Sequence, residues 1–427
     1  MAAEENRRRP PGRGPMRGPV RSDERSLAPD LARGAMLLLI VASNTVFYLW
    51  AARVGPTGWH PVDGGPLDTA VQFAMITGLD LRVFPLFAFM FGYGMMRLYQ
   101  RQTEAGTEPR TALALLRRRG LWLLLFGFAH AALLMAGDIV GLYGILCAVL
   151  GTLFIRRGDR TLLIAAGTGL ALLAGLTALT YLDAAAQAAA GTVPEGPTSA
   201  ELYASPETDL LAAALTRVET WAFSVTLSGA LFSFSFHAAI LLGFWAARRG
   251  VLDRPGDHLP LLRRTAVAGI AIGWAGGLPA ALFHVGALDL PAAYAAETGP
   301  VFMLQVITGL PGGLGYAAAI TLAAHAMPAR VRGSLPVALT TAVGKRSLSC
   351  YLAHSVLFSP VLAAWGLGLG AHLGSFTVLL YAIGVWLVTA VGAYLLERAG
   401  RRGPAEAALR RLVYGGKASN GRTAPVG

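Results

Sequence analysis

An unbroken run of about twenty apolar residues constrains a chain more than any short motif, because its length matches the ~30 Å hydrocarbon core of a bilayer. The first such run here extends from Leu31 to Ala52, within RSLAPDLARGAMLLLIVASNTVFYLW (25–50), and it is entered past Arg25, Pro29 and Arg33. One amide, Asn44, lies inside it. Lipid offers a backbone no hydrogen bonds, so a segment of this kind must be helical. Similar runs recur at about 84–99, 120–137, 139–155, 161–182, 220–246, 265–287, 300–326, 348–367 and 374–396. They predict an all-α, polytopic integral membrane protein of about ten transmembrane helices.

Composition agrees: 54% of the 427 residues are hydrophobic and 14% are charged, against ~25% charged in soluble domains. The net charge of +12 would suit a nucleic-acid partner if it were clustered without regard to the apolar runs. It is not. Thirty-three of the 36 Lys and Arg fall before the first run, in every second connection or after the last run, leaving Arg53, Arg82 and Arg217 on the other side. The positive-inside bias then places both termini in the cytoplasm and explains the charge as topology, with no nucleic-acid binding. The longest polar segment, 183–215, carries five acidic residues and no Lys or Arg, as an outward connection should.

Residues 1–24 are rich in Arg, Pro and Gly, lack an apolar face and read as a disordered basic tail. The membrane domain spans 25–396, and a basic cytoplasmic tail follows at 397–427. Cys147 and Cys350 sit in apolar runs and read as buried thiols, with no metal site or disulfide framework implied. The glycines and proline of GLPGGLG (309–315) predict a kink or unwound turn, and the FGYG of 91–94 predicts close helix packing.

Ionisable groups inside membrane segments mark functional candidates. Asn44 is either a helix–helix hydrogen-bonding group or part of a polar cavity. His130 lies mid-run and Asp138 at the end of the same run; eight residues put them ~80° apart, serving one cavity without direct contact. Asp138 also suits a cap on the tight turn that follows. His60, beside Trp59 and Asp63, reads as a solvated loop histidine, or as a general base if the loop folds back over a cavity. Asp80 and Arg82 read as an interfacial ion pair. His237, His284, His325 and His354 read as packed or hydrogen-bonded, since their spacings form no zinc pattern. No Walker, dinucleotide-binding or GxSxG motif is present.

PDLARGAMLLLIVASN, FPLFAFMFGYG, RRRGLWLLLFGFAHAALLMAGDIVGLYG, GKRSLSCYLAHSVL and RRGPAEAALRRLVYG, in this order over residues 29–415, resemble the YeiB-like family of bacterial inner-membrane proteins. The C-terminal part of that family, about 230–415 here, is a domain of unknown function numbered 418. Asp30, Arg33, Gly34 and Asn44 match the family's first span, whereas the family's Asn-Tyr pair of the ninth span is Cys350-Tyr351 and its following Gln is His354. More distantly the family is similar to the transmembrane acyltransferase superfamily. That likeness implies a multi-pass protein of the bacterial cytoplasmic membrane that takes an acyl group from cytoplasmic acyl-CoA to an outward-facing glycan, lipid or small-metabolite acceptor. It assigns Arg33, with Asp30 and Asp138 nearby in role, to substrate binding, Asn44 to orienting the thioester or acceptor, and His60 or His130 to deprotonating the acceptor. No metal and no permanently bound cofactor are implied. Two other readings fit the same residues: a transporter with a midplane polar site, and a non-catalytic membrane protein whose polar residues join helices.

Overall fold

The computed structural model describes residues 27–55, 58–192, 197–296 and 298–415. The expected tail of residues 1–24 lies outside the described residues. Among those described the structure is helical, with no sheet and a single isolated bridge between Val54 and Pro61. The long helices, numbered in chain order, are α1 (Leu27–Ser43, continued as a 3₁₀ turn to Tyr48), α2 (Pro66–Gly78), α3 (Val83–Glu104), α4 (Pro109–Leu133) and α5 (Ile139–Phe154). They are followed by α6 (Asp159–Ala190), α7 (Leu210–Phe232), α8 (Phe234–Arg249), α9 (Leu259–His284) and α10 (Pro300–Ala326). The last four are α11 (Leu335–Lys345), α12 (Ser347–Leu362), α13 (Ser375–Arg398) and α14 (Pro404–Tyr414).

Six of these are long and apolar enough to cross a membrane, seven if the bent pair α2–α3 is one span. Helix α5 and helix α12 are apolar but shorter. The chain is thus a helical membrane protein. Its first helix is its axis: 67% of the apolar window of α1 is buried inside the protein, against 22% for α6. Around α1 pack α3, α10, α11, α12 and α13.

What lets these helices approach is the placement of small residues. Lipid tails are as apolar as leucine, so helices associate through close packing, and glycine removes the side chain that would hold backbones apart. Gly34 of α1 lies against the Thr340 carbonyl of α11, and Gly344 of α11 lies against the Asp30 carbonyl of α1. Gly92 of FGYG meets the Ile240 carbonyl of α8, which answers with Gly243 against Phe89. A Gly34→Val variant is expected to lose most of its monodisperse fraction in detergent size-exclusion chromatography. Gly175→Val, where an added Cβ meets nothing within 4 Å, should behave as wild type. Equal behaviour of the two would remove the packing argument.

Two expectations need correction. GLPGGLG is not unwound: α10 runs through Pro311 as one helix, and its glycines form the trough that receives Gly269 and Gly273 of α9 and the backbone of Arg82 and Leu86. The apolar run at 220–246 is not one helix either. It belongs to α7, which carries a π-helical stretch at Trp221–Leu227, and to α8, with the break at Ser233. The ring of His237 reaches back to the break, Nδ1 2.8 Å from the Ser233 carbonyl and Nε2 3.0 Å from the Ala230 carbonyl, and a neutral ring donates to one of the two. The basic C-terminal region also holds structure: α14 buries Ala405, Leu409 and Val413 against the bundle.

Candidate functional site

Helix α1 presents Arg33, Met36, Ile40 and Asn44 at spacings of three and four, hence along one face. Arg33 and Met36 line a cavity of about 830 Å³ at one end of the bundle. Nine basic side chains, among them Arg97, Arg119 and Arg346, line it against four acidic ones (Asp30, Asp253, Glu397 and Glu406). The acids are engaged. Asp30 pairs with Arg33 at 3.3 Å, Asp253 holds Tyr93 and Arg97, and Glu397 holds Lys345 and Arg346 at 2.7 Å each. Glu406 caps α12 through the Leu348 amide at 2.8 Å and bonds Ser349. The remaining excess of five positive charges surrounds a deeper part lined by Met36, Phe87, Met90 and Phe91. The shape and chemistry are amphiphilic: cations at the rim, apolar side chains inside.

Asn44 does not line that cavity. It lies about 16 Å further along α1, at 1.5 Å per residue, in a separate small cavity of about 10 Å³ with Ile40, Met135, His354 and Ser355. Its amide nitrogen meets the Met135 sulfur at 3.9 Å. His354 bonds the Thr389 hydroxyl of α13 at 2.9 Å. Arg33, Asn44 and His130 therefore do not share one cavity, although one helix face joins the first two.

The change from α-helix to the tighter 3₁₀ turn falls between Ser43 and Asn44, as is common at helix C-termini. Ser43 points away from the Asn44 cavity and donates to Asp80 Oδ1 at 3.0 Å. The other oxygen of that carboxylate, Oδ2, accepts from His60 Nε2 at 2.6 Å. His60 is not a solvated loop residue: it is 2% exposed. The Val54–Pro61 bridge and the Val62 amide on the Arg53 carbonyl at 2.8 Å clip its loop shut. Asp63, its sequence neighbour, caps the Arg53 amide instead.

Nor do Asp80 and Arg82 form an interfacial ion pair. They occupy the 43° bend between α2 and α3, where Leu81 takes a left-handed φ of 61°, a conformation that a non-glycine residue holds only when its surroundings enforce it. Arg82, fully buried, donates to the carbonyls of Ile76, Asp80 and Gly273 and to the Gln305 side chain. Its guanidinium is the countercharge to the Asp80 carboxylate within the same turn. With Nε2–H committed to Asp80, Nδ1 carries the lone pair, and it has no protein partner. His60 and Asp80 border a cleft of about 30 Å³ walled by Trp59, Ile76, Phe302 and Gln305.

His130 and Asp138 touch directly, Nδ1 to Oδ1 at 2.8 Å, and both are buried. The separation around an ideal helix does not apply, because α4 ends at Leu133 and the chain reverses before Asp138. The second oxygen of Asp138 caps α5 through the Gly141 amide at 2.8 Å. Against the His130 ring lies Tyr351, centroids 5.2 Å apart. The expected turn cap is therefore present and has the histidine as its partner. Ser43, Asp80 as the partner of His60, and Arg82 as its countercharge escaped sequence reasoning. The signal available was two charges, Asp80 and Arg82, two residues apart in an otherwise apolar stretch. Among the described residues no group of three His, Cys, Asp or Glu side chains is placed to hold a metal ion.

Fold and site together define a helical membrane protein with two internal histidine–carboxylate pairs and a basic, apolar-floored cavity at one end. Residues 246–416 match the family described as Protein of unknown function (DUF418). The chain is 26% identical over 408 residues to Uncharacterized protein YxaH of Bacillus subtilis (strain 168), covering 92% of this chain and 95% of that protein. It is 27% identical over 399 residues to Uncharacterized protein YeiB of Escherichia coli (strain K12), covering 91% and 96% respectively. The chain is thus similar to the YeiB-like, DUF418 proteins, by the family match in its C-terminal part and by these two relatives along nine-tenths of its length. No solved structure matches it.

Proposed function

We propose that this protein is a ten-span acyltransferase of the bacterial cytoplasmic membrane, both termini cytoplasmic, moving an acyl group from cytoplasmic acyl-CoA to an outward-facing glycan, lipid or small-metabolite acceptor. The observation that carries the reading is the 830 Å³ cavity, whose size falls within the roughly 300–1,000 Å³ of ligand sites and whose lining suits an anionic amphiphile. Phosphates of the donor meet the cations at Arg33 and its pantetheine arm extends along α1 past Met36; reaching Asn44, in its own cavity, requires the packing at Ile40 to open. On this reading His60, rather than His130, takes the proton of the acceptor, because the residue borders a cleft whereas Asp138, the partner of His130, is engaged in capping a helix; each ring keeps one buried nitrogen without a protein partner, Nδ1 of His60 and Nε2 of His130. The acceptor oxygen or nitrogen attacks the thioester carbonyl as its proton passes to His60 Nδ1. The tetrahedral intermediate then collapses, breaking the carbon–sulfur bond, and the proton returns to the leaving thiolate.

The test is binding and turnover of acetyl-CoA by the full chain in nanodiscs. Expected are saturable binding that weakens as salt rises, a loss of about tenfold affinity in Arg33→Ala, consistent with a charge-assisted contact of 1.5–3 kcal/mol, and release of free CoA thiol. Absence of saturable binding would refute the reading. One observation favours a transporter instead: discontinuous helices carry the substrate sites of many transporters, and the α2–α3 bend holds Asp80 and Arg82. Counterflow uptake into proteoliposomes without acyl-CoA consumption would decide for that alternative.

A further inference from the structure

We infer that Ser43 is a positioning residue for His60, acting through Asp80; its catalytic consequence rests on the acyl-transfer reading, while the positioning itself does not. The terminal torsion of an aspartate is broad and two-fold, so a carboxylate held by a single donor swings and exchanges its oxygens. Asp80 is held by two donors from two different segments, Ser43 of α1 on Oδ1 and His60 of the clipped loop on Oδ2. All three side chains are buried, at 2–3% exposure, so water does not compete for these positions.

With the carboxylate plane fixed, the imidazole has one place to put its Nε2–H, and Nδ1, buried and without a protein partner, is left as the lone-pair nitrogen of that tautomer. Ser43 is also the residue directly before Asn44, at the point where the helix tightens. The same backbone turn thus aims one side chain at the base and the next at the cavity along the donor helix.

The experiment uses full-length protein in nanodiscs with ¹⁵N-labelled histidine, the His60 signal being assigned by its loss in His60→Gln. Wild type should show a single tautomer, Nε2 protonated and Nδ1 bare. Ser43→Ala should show mixed tautomers, and Ser43→Thr, which restores the hydroxyl, should return the single form. In parallel, acetyl-CoA turnover should show kcat about tenfold lower in Ser43→Ala, below the ~10²–10⁴-fold associated with a general base itself, with KM for acetyl-CoA unchanged and kcat recovered in Ser43→Thr. An unchanged His60 tautomer in Ser43→Ala overturns the inference. Wild type that turns over no acetyl-CoA overturns the acyl-transfer reading, and the tautomer comparison still decides the role of Ser43. If Ser43→Ala does not fold, Ser43→Cys, similar in volume and weaker as a donor, carries the same comparison.

Discussion

His60→Ala is expected to lower acyl-transfer turnover per folded molecule by ~10²–10⁴-fold with acetyl-CoA affinity close to wild type, and to cost about 1–3 kcal/mol of stability because buried Asp80 loses one of its two side-chain donors. The donor cavity is lined by other residues, and the His60 loop is clipped by backbone contacts that the side chain does not make. His130→Ala should behave differently. Its partner Asp138 is fully buried and caps α5, so truncating the imidazole leaves a buried carboxylate short of one hydrogen bond, which costs about 1–3 kcal/mol, more for a charged group. The expected result is lower stability with turnover per folded molecule retained. Measuring thiol release against the amount of monodisperse protein separates the two. A folded His60→Ala protein with wild-type turnover would rule out His60 as the base.

Arg82→Met carries the largest expected effect on stability. Arg82 is wholly buried, its guanidinium satisfies carbonyls of Ile76, Asp80 and Gly273, and it is the countercharge to Asp80. Its removal leaves the buried carbonyls of Ile76, Asp80 and Gly273 and the Gln305 side chain without this donor, at about 1–3 kcal/mol per unsatisfied buried group, and takes the nearby positive charge from the Asp80 carboxylate. Thermal unfolding in detergent should show a much lower midpoint or no folded fraction. Asp80→Asn in the same chain removes the stranded charge, so the double variant should recover part of the loss. If the double variant were less stable than Arg82→Met alone, the charge-balance account of this turn would fail.

Much of the fold was legible in the chain because its cause is local. Apolar length predicts helices, and glycine in FGYG predicts close approach, which Gly92 makes against α8. The polar candidates were legible one at a time, as charges and amides in apolar surroundings. Their partners were not. GLPGGLG misled because the same glycines that permit an unwound turn also permit a tight helix contact, and only the presence of α9 and Arg82 in that trough distinguishes the two. His60 misled because a loop of polar and turn-forming residues reads as solvent-facing until its closure over the α2–α3 bend is seen.

The division has a physical reason. Bilayer thickness and backbone hydrogen bonding act on consecutive residues, so the amino-acid sequence by itself determined that this is a helical membrane protein with charged connections and a polar first helix. Hydrogen bonds between side chains act across space. Ser43 and Asp80 are 37 residues apart, and Arg82 and Gln305 are 223 apart. Which carboxylate fixes which histidine, and that Arg33 and Asn44 line separate cavities along one helix, depended on how the helices pack, and the tertiary structure alone decided it.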